Sequence, residues 1–389
     1  MNKKPELLAP AGNIEKLKTA FLYGADAVYV GGQVFGLRKY AENFSLNELE
    51  IGINLANKKN KKVYIVLNGF AHQSDLYTIK NHLKDLEKIK PHAFIIADLG
   101  LIEMAKKHTT IPIHISTQAS VTNSAACNFY QKKGAKRIIF AREVSLKSIQ
   151  KIKKNTSIEC EIFVHGAMCA SYSGKCVISN YSAGRDSNRG GCVQSCRHHY
   201  KLEDKTQINS SSESTIMNAQ DLIGVDQLQQ IINLGIDSIK IEGRMKSNLY
   251  LANVVSNYRY ALDHQNHNKE KIKENLTDIS NRTFSSEALT GFQNNAGINT
   301  TFSGYTKTTT LMGIIKEVSE TTAVVEVKNP FKPGDTLSLY QPNEKKINLT
   351  IPTIHSLLNE PLPISKPNSL VKIPIPKKTK ALSILGKKQ

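Results

Sequence analysis

The chain has 389 residues, 40% of them hydrophobic, with 52 lysines and arginines against 33 aspartates and glutamates, a formal net charge of +19. No apolar run approaches the length of a membrane span, and MNKKPELLAPAGN lacks the apolar stretch of a signal peptide; a membrane protein and a secreted disulfide scaffold are excluded, and a cytoplasmic location with reduced thiols is expected. The positive excess attracts polyanions, nucleic acid before an anionic membrane surface, although a lysine-biased composition accounts for part of it.

Short strands rich in β-branched and aromatic residues are predicted at Glu6–Ala9, Ala27–Val30, Val63–Leu67 and Phe94–Ala97. Four more follow at Ile113–Ser116, Arg137–Ala141, Glu159–His165 and Ser238–Glu242. Amphipathic helical patterns separate most of them, as at Asn13–Tyr23 and Leu222–Leu234, and the glycines of YGAD, KGAK and LGID mark helix stops. Eight strands alternating with helices predict an α/β fold of the TIM-like (β/α)8 barrel type; a doubly wound open sheet seldom needs eight strands in so few residues. Chemistry in such barrels collects at the C-terminal strand ends. The sequence places Asn68, His72, Asp98, Ser116, Thr117, Gln118, Arg142, Glu143, His165, Glu242 and Arg244 there.

A long cysteine-bearing insertion leaves the seventh strand at the same end. Four of the six cysteines, Cys169, Cys176, Cys192 and Cys196, follow the spacing C-x6-C-x15-C-x3-C. Thiolates at this density select zinc or an iron–sulfur cluster. Zinc ribbons pair their ligands as tight C-x2-4-C knuckles, and the wider gaps here suit a cube whose corners point apart. Zinc and plain buried or disulfide-forming thiols remain the alternatives. Cys127 and Cys160 read as buried structural thiols. The segment Ile178–Met217 is expected to run as a long excursion over the barrel. The glycines and arginines of its GRDSNRGG suit backbone N–H bonds to cluster sulfurs and neutralisation of cluster charge.

A helix over Leu249–His264 is expected to close the barrel, and a polar connector follows to Thr310. MGIIKEV, TAVVEVK, DTLSLYQ and LVKIPIPKK then alternate as strands, with turns at Ser319–Glu320 and KPGD. They predict a small C-terminal antiparallel β-barrel, either a packing lid or a nucleic-acid-binding appendage, ending in the basic tail PKKTKALSILGKKQ. The expected domains are a catalytic barrel over 1–264 with its iron–sulfur loop at 166–217, a connector over 265–310, and the β module over 311–389.

Taken together, ELLAPAGN, YGADAVYVGG, NGFAHQSDL, EIFVHGAMCASYSGKCVIS, STQAS, FAREVS, NYSAGRDSNRGGCVQSCR and IKIEGRMKS resemble the U32 peptidase-like family over nearly the whole chain. Within the diagnostic stretch the resemblance runs through Glu161, Phe163, Gly166, Cys169, Gly174, Cys176 and Ser179. It implies an oxygen-independent hydroxylase whose four cysteines, Cys169, Cys176, Cys192 and Cys196, hold a 4Fe–4S cluster, with prephenate as co-substrate and oxygen source. The family's substrates are tRNA wobble uridine, ribosomal RNA cytidine and ubiquinone precursors. A barrel, an NRxF segment (Asn281, Arg282, Phe284) and a β module together are similar to the tRNA branch that makes 5-hydroxyuridine. That branch implies tRNA as partner, with an electron donor or a paralogous subunit beside it and no membrane. The chain departs from the branch at Ala219-Gln220, where serine-lysine is usual, and its connector and β module are shortened. Arg142 and Arg244 are the cations expected to clamp the two carboxylates of prephenate, with His165 and Glu242 completing the catalytic set. Pairing of each arginine with neighbouring Glu143 or Glu242 is the structural alternative. The family name implies a collagenase-like peptidase, yet the sequence has neither a GxSxG elbow nor an HExxH motif. A peptidase and a noncatalytic RNA-binding protein stand as the other classes.

Overall fold

The structure, a computed structural model, describes residues 3–33, 43–201, 213–264, 266–291, 297–300, 304–306 and 308–389. All eight expected barrel strands are present: β1 (Glu6–Ala11), β2 (Ala27–Gly31), β3 (Lys62–Leu67), β4 (Ala93–Ile96), β5 (Ile113–Ile115), β6 (Arg137–Ile139), β7 (Glu159–Ala167) and β8 (Ser238–Ile241). They pair in parallel in chain order, and β8 closes the ring against both β1 and β7. Parallel strands covered by helices bury both faces, which is why β2 reads AVYVG and is buried throughout. Gly24, Gly134 and Gly235 take the positive φ values of helix stops, 110°, 88° and 64°. At Gly24 a Cβ would also meet the Arg259 side chain at 2.5 Å.

The expected helix over Leu222–Leu234 is only partly formed. Its first residues, Leu222 and Ile223, instead belong to a strand, Asp221–Ile223, antiparallel to β7 with Leu222 opposite Gly166, and the helix is confined to Leu228–Asn233. The reason is tertiary. β7 overshoots the barrel to Ala167, and the N–H and C=O groups of that extension need a partner. The Gly224 N–H completes the pairing on the Val164 carbonyl at 2.8 Å.

The lower barrel interior holds an ionic lock that the strand pattern does not announce. Arg137, at the start of β6, donates to Glu6 at 2.7 Å and Glu161 at 3.1 Å, and pairs with the half-exposed Glu159 at 2.8 Å. Lys62 holds Glu6 at 2.9 Å, the Tyr64 hydroxyl donates to the same carboxylate at 2.9 Å, and Lys240 of β8 pairs with Glu161 at 3.3 Å. Three carboxylates thus face three cations. Burial alone would raise Glu6, but the charge and hydrogen bond of Arg137, helped by Lys62, hold it below the usual carboxylate value.

The barrel belongs to one compact unit, Met1–Leu17, Asp26–Met245 and Arg282–Gly304; a second comprises Lys18–Ala25, Lys246–Asn281 and Tyr305–Gln389. The helix expected at Leu249–His264 forms as Asn248–Asp263 and groups with the second unit. That unit carries a six-stranded antiparallel half-barrel sheet in the order Ile347–Thr350, Thr336–Tyr340, Ile384–Lys388, Thr309–Ser319, Thr322–Val327, Leu370–Pro374. Ile315, Val325, Phe331, Leu337, Ile351, Ile373 and Leu385 fill its core. Two of the strands were not expected. Ile384–Lys388 lies within the presumed basic tail, yet it pairs on both sides, with Thr309–Ser319 and with Thr336–Tyr340. The tail is therefore structural, because ILG buries in the sheet while its lysines face outward at the strand end. No helix among the described residues is long and apolar enough to cross a membrane.

Candidate active site

The overshoot of β7 delivers Cys169 just above the barrel's C-terminal end, and the loop beyond is fastened at several points. Ser173, buried in the x6 gap, donates both its N–H and its hydroxyl to Glu143, and its hydroxyl oxygen accepts from the Arg142 N–H at 3.1 Å. The Ser120 hydroxyl donates to the Ser173 carbonyl. Asn188 donates to the Cys176 carbonyl at 2.9 Å and accepts from the Phe70 N–H at 3.2 Å. Arg197, next to Cys196, donates to Asn218 Oδ1 at 2.7 Å, to the Ala219 carbonyl, and to the Met168 carbonyl at 2.5 Å. One guanidinium therefore joins the segments before Cys169 and after Cys196.

Gly174 has φ +74°, and a Cβ there would lie 1.9 Å from the Gln118 carbonyl oxygen. Backbone meets backbone at that point, so relaxation is costly. On the expectation that the loop cysteines hold an iron–sulfur cluster, Gly174→Ala should leave the barrel folded while reducing the iron retained after anaerobic purification by more than half. Iron content and circular dichroism of the two proteins check this.

All four loop cysteines are free thiols; Cys169 and Cys192 are exposed, Cys176 and Cys196 partly covered. The Cys196 thiol is pushed up by burial, with Arg197 opposing and the charges of Cys169, Cys192 and Cys176 adding to the rise. Among the described residues no three His, Cys, Asp or Glu side chains stand close enough to share a single metal ion. Cys127 and Cys160 are buried apart from this group, their thiols raised by burial to about 11 and about 12.

Arg142 is the expected site residue that reaches this group directly. It donates from Nη1 to Cys169 Sγ at 3.3 Å, and its guanidinium carbon sits 4.4 Å from the Phe163 ring centre. Pairing with Glu143 does not occur, because that carboxylate is occupied by Ser173. The Arg142 Nε is buried with no hydrogen-bond partner. Lys240 approaches the same Phe163 ring at 5.4 Å and the Tyr29 ring at 4.4 Å. Burial lowers the Lys240 pKa, with Glu161 opposing and Arg142 and Arg137 reinforcing.

The other expected residues are placed as follows. Arg244 is buried over Gly31, where a Cβ would come within 2.1 Å of its Nη1, and it donates to Asn43 Oδ1 at 3.1 Å. The Glu242 N–H donates to the His165 carbonyl at 2.8 Å, and the buried His165 ring lies 5.4 Å from that of Phe284. Asp98 and Ser116 act as helix caps, accepting from the Leu101 and Gln118 N–H groups at 2.9 and 3.2 Å. Arg189 of GRDSNRGG does not serve the thiols. It pairs with Asp75 at 2.7 Å and donates to the Phe70 carbonyl at 2.8 Å, tying the loop to the β3 exit. Arg197, Phe163 and Lys240 were missed as site residues; adjacency to Cys196 and the inward alternation of β7 and β8 were the signals available. Of the polar run INSSSESTIMN, 208–212 lie outside the described residues.

Residues 12–299 match peptidase family U32, and residues 307–385 match the peptidase family U32 C-terminal domain. The chain is similar to tRNA hydroxylation protein P1 of Bacillus subtilis, 39% identical over 369 residues, covering 91% of this chain and 87% of the relative. It is 32% identical to tRNA hydroxylation protein P of Escherichia coli, covering 96% and 94%. A 23S rRNA 5-hydroxycytidine synthase of Escherichia coli is 36% identical over 258 residues, which are 66% of this chain and 39% of that one. With the first match spanning the barrel and its cysteine loop and the second spanning the terminal sheet, the chain belongs to peptidase family U32.

Proposed function

We propose that the protein hydroxylates tRNA, forming 5-hydroxyuridine at the anticodon wobble position, with prephenate as oxygen donor and a 4Fe–4S cluster on Cys169, Cys176, Cys192 and Cys196. The observation that carries the chemistry is the set of four free thiols in one loop, with the Arg142 guanidinium on one of them. A donor set of sulfur alone, spaced C-x6-C-x15-C-x3-C, suits a polynuclear cluster whose corners point apart better than the tight knuckles of zinc. The choice of tRNA follows the relatives that match across both units, whereas the ribosomal RNA enzyme is matched over a minor part of its length.

When bound, such a cluster supplies electron transfer and, at an open iron, Lewis acidity. The chain's own residues orient and enclose the reactants. Arg142 holds Cys169 and can direct its remaining N–H groups, including the buried Nε, to a carboxylate. Arg244, seated over Gly31 and steadied by Asn43, is the second fixed cation at the strand ends. A target uridine must leave its stack to enter the mouth. Ser173, Glu143 and Arg197 keep the loop in place while it does so.

Nucleoside mass spectrometry of tRNA from a deletion strain tests this. Loss of 5-hydroxyuridine derivatives supports it, and unchanged tRNA with altered ribosomal RNA or quinones overturns it. Arg142→Ala and Arg244→Ala are each expected to stay folded and keep their iron while losing about 100-fold in hydroxylation, the scale for removing one aimed donor. A folded, iron-loaded and fully active Arg244→Ala protein would remove that residue from the clamp.

A further inference from the structure

Three side chains stand out in the cysteine loop and the β3 exit to which it is tied. Tyr181, Tyr77 and Tyr172 are 89%, 78% and 67% exposed, more than any other described aromatic residue, the next being Tyr260 at 48%. Single exposed apolar residues need no explanation. Here the three most exposed rings all lie at one end of one barrel. Tyr77 opens the helix that follows β3, Tyr172 lies between Cys169 and Cys176, and Tyr181 is in the short helix Ile178–Ala183 between Cys176 and Cys192.

The backbones that carry them are fixed to one another. Arg189 joins the cysteine loop to Asp75, two residues before Tyr77. Next to Tyr172, Ser173 is held by Glu143, and the Lys175 N–H closes a turn on the Tyr172 carbonyl at 3.1 Å. The helix of Tyr181 is braced by the bonds of Ser179 to the Val193 N–H at 3.2 Å and of Asn180 to the Ser187 N–H at 3.1 Å. Rings on such a frame lose little freedom when they are covered, so contact with them is inexpensive in entropy.

Charge indicates what covers them. Lys80 and Lys175 are exposed close by in sequence. The neighbouring carboxylates are engaged internally, Glu143 with Ser173, Asp75 with Arg189, and Asp186 with the Asn188 N–H at 2.9 Å. Flat rings interleaved with cations, on a chain of net charge +19, match unpaired nucleotides, whose bases stack on aromatic faces while their phosphates meet lysine and arginine.

We propose that Tyr77, Tyr172 and Tyr181 form a stacking platform for the unpaired bases of a single-stranded RNA segment beside the cysteine site. It deepens the reading above and rests on it for the identity of the RNA. The platform would hold bases flanking the extruded one, a role distinct from chemistry at the target atom.

The test uses full-length, iron-loaded protein with two probes, an unmodified tRNA transcript and a short uridine-rich oligoribonucleotide, followed by fluorescence anisotropy. Each Tyr→Ala variant is expected to keep its iron and melting temperature and to bind the oligonucleotide about tenfold more weakly, the scale of one base–aromatic stack. Each Tyr→Phe variant should bind within about twofold of the parent, because the ring and not the hydroxyl supplies the contact. Alanine variants that bind like the parent overturn the platform, as do phenylalanine variants as weak as alanine. Tyrosine-dependent RNA binding alongside unchanged 5-hydroxyuridine in the deletion strain overturns the tRNA-hydroxylase reading and leaves the platform standing.

Discussion

Replacing any one of Cys169, Cys176, Cys192 or Cys196 with alanine should strip most of the iron from anaerobically purified protein and bleach its broad charge-transfer absorbance, whereas Cys127→Ala and Cys160→Ala should preserve both. The two groups differ in what their thiols can become. Cys127 and Cys160 are fully buried, and burial raises their thiols to about 11 and about 12, so neither is accessible to a cluster and each would have to give up a proton in an apolar setting to ligate one. Their loss should cost about 1 kcal/mol of packing, in the ordinary range for a point substitution. The four loop thiols are accessible or partly so, and Cys169 already accepts a hydrogen bond from Arg142. Iron analysis with absorbance spectroscopy reads the outcome. Stoichiometric zinc with no iron in the parent protein would overturn the cluster assignment.

Arg137→Ala should be among the most destabilising single substitutions in the chain, costing about 3–5 kcal/mol, because removing one partner leaves buried charge uncompensated. The group most affected is Glu161, which is fully buried and keeps only Lys240 as a cation. For a domain of this size the expected fall in Tm is on the order of 10 °C. The loss should be nearly independent of salt, since ions do not screen a buried pair as they do an exposed one. The lock also carries a pH dependence of known sign. The folded-state pKa of Glu6 is depressed, so its contribution is present above the ordinary carboxylate range and disappears as pH falls through the folded value. Urea denaturation of both proteins across that range checks the prediction. A cost below about 1 kcal/mol would mean that the lower barrel is hydrated rather than locked.

The eight barrel strands were legible in the sequence because each signal is local. Runs such as VYIVL and AVYV have one stable use, and Gly24, Gly134 and Gly235 stop helices by their own conformational freedom. The grouping of Cys169, Cys176, Cys192 and Cys196 was legible for a similar reason, since thiol density is a chemical statement that needs no geometry. What tertiary structure alone decided depended on partners distant along the chain. Leu222 carries a helical pattern, but the overshoot of β7 offered its backbone a ladder, and pairing outweighed periodicity. Ile384–Lys388 reads as a basic tail until Thr309–Ser319 and Thr336–Tyr340 flank it. Glu143 is adjacent to Arg142 in sequence and is taken by Ser173, which frees the guanidinium to reach Cys169. Arg137, Glu6, Glu161 and Lys240 are four unremarkable charges on four separate strands. Closing the barrel brings them together in a low-dielectric interior, where an unpaired charge is too costly to keep and a paired one holds the strands in register.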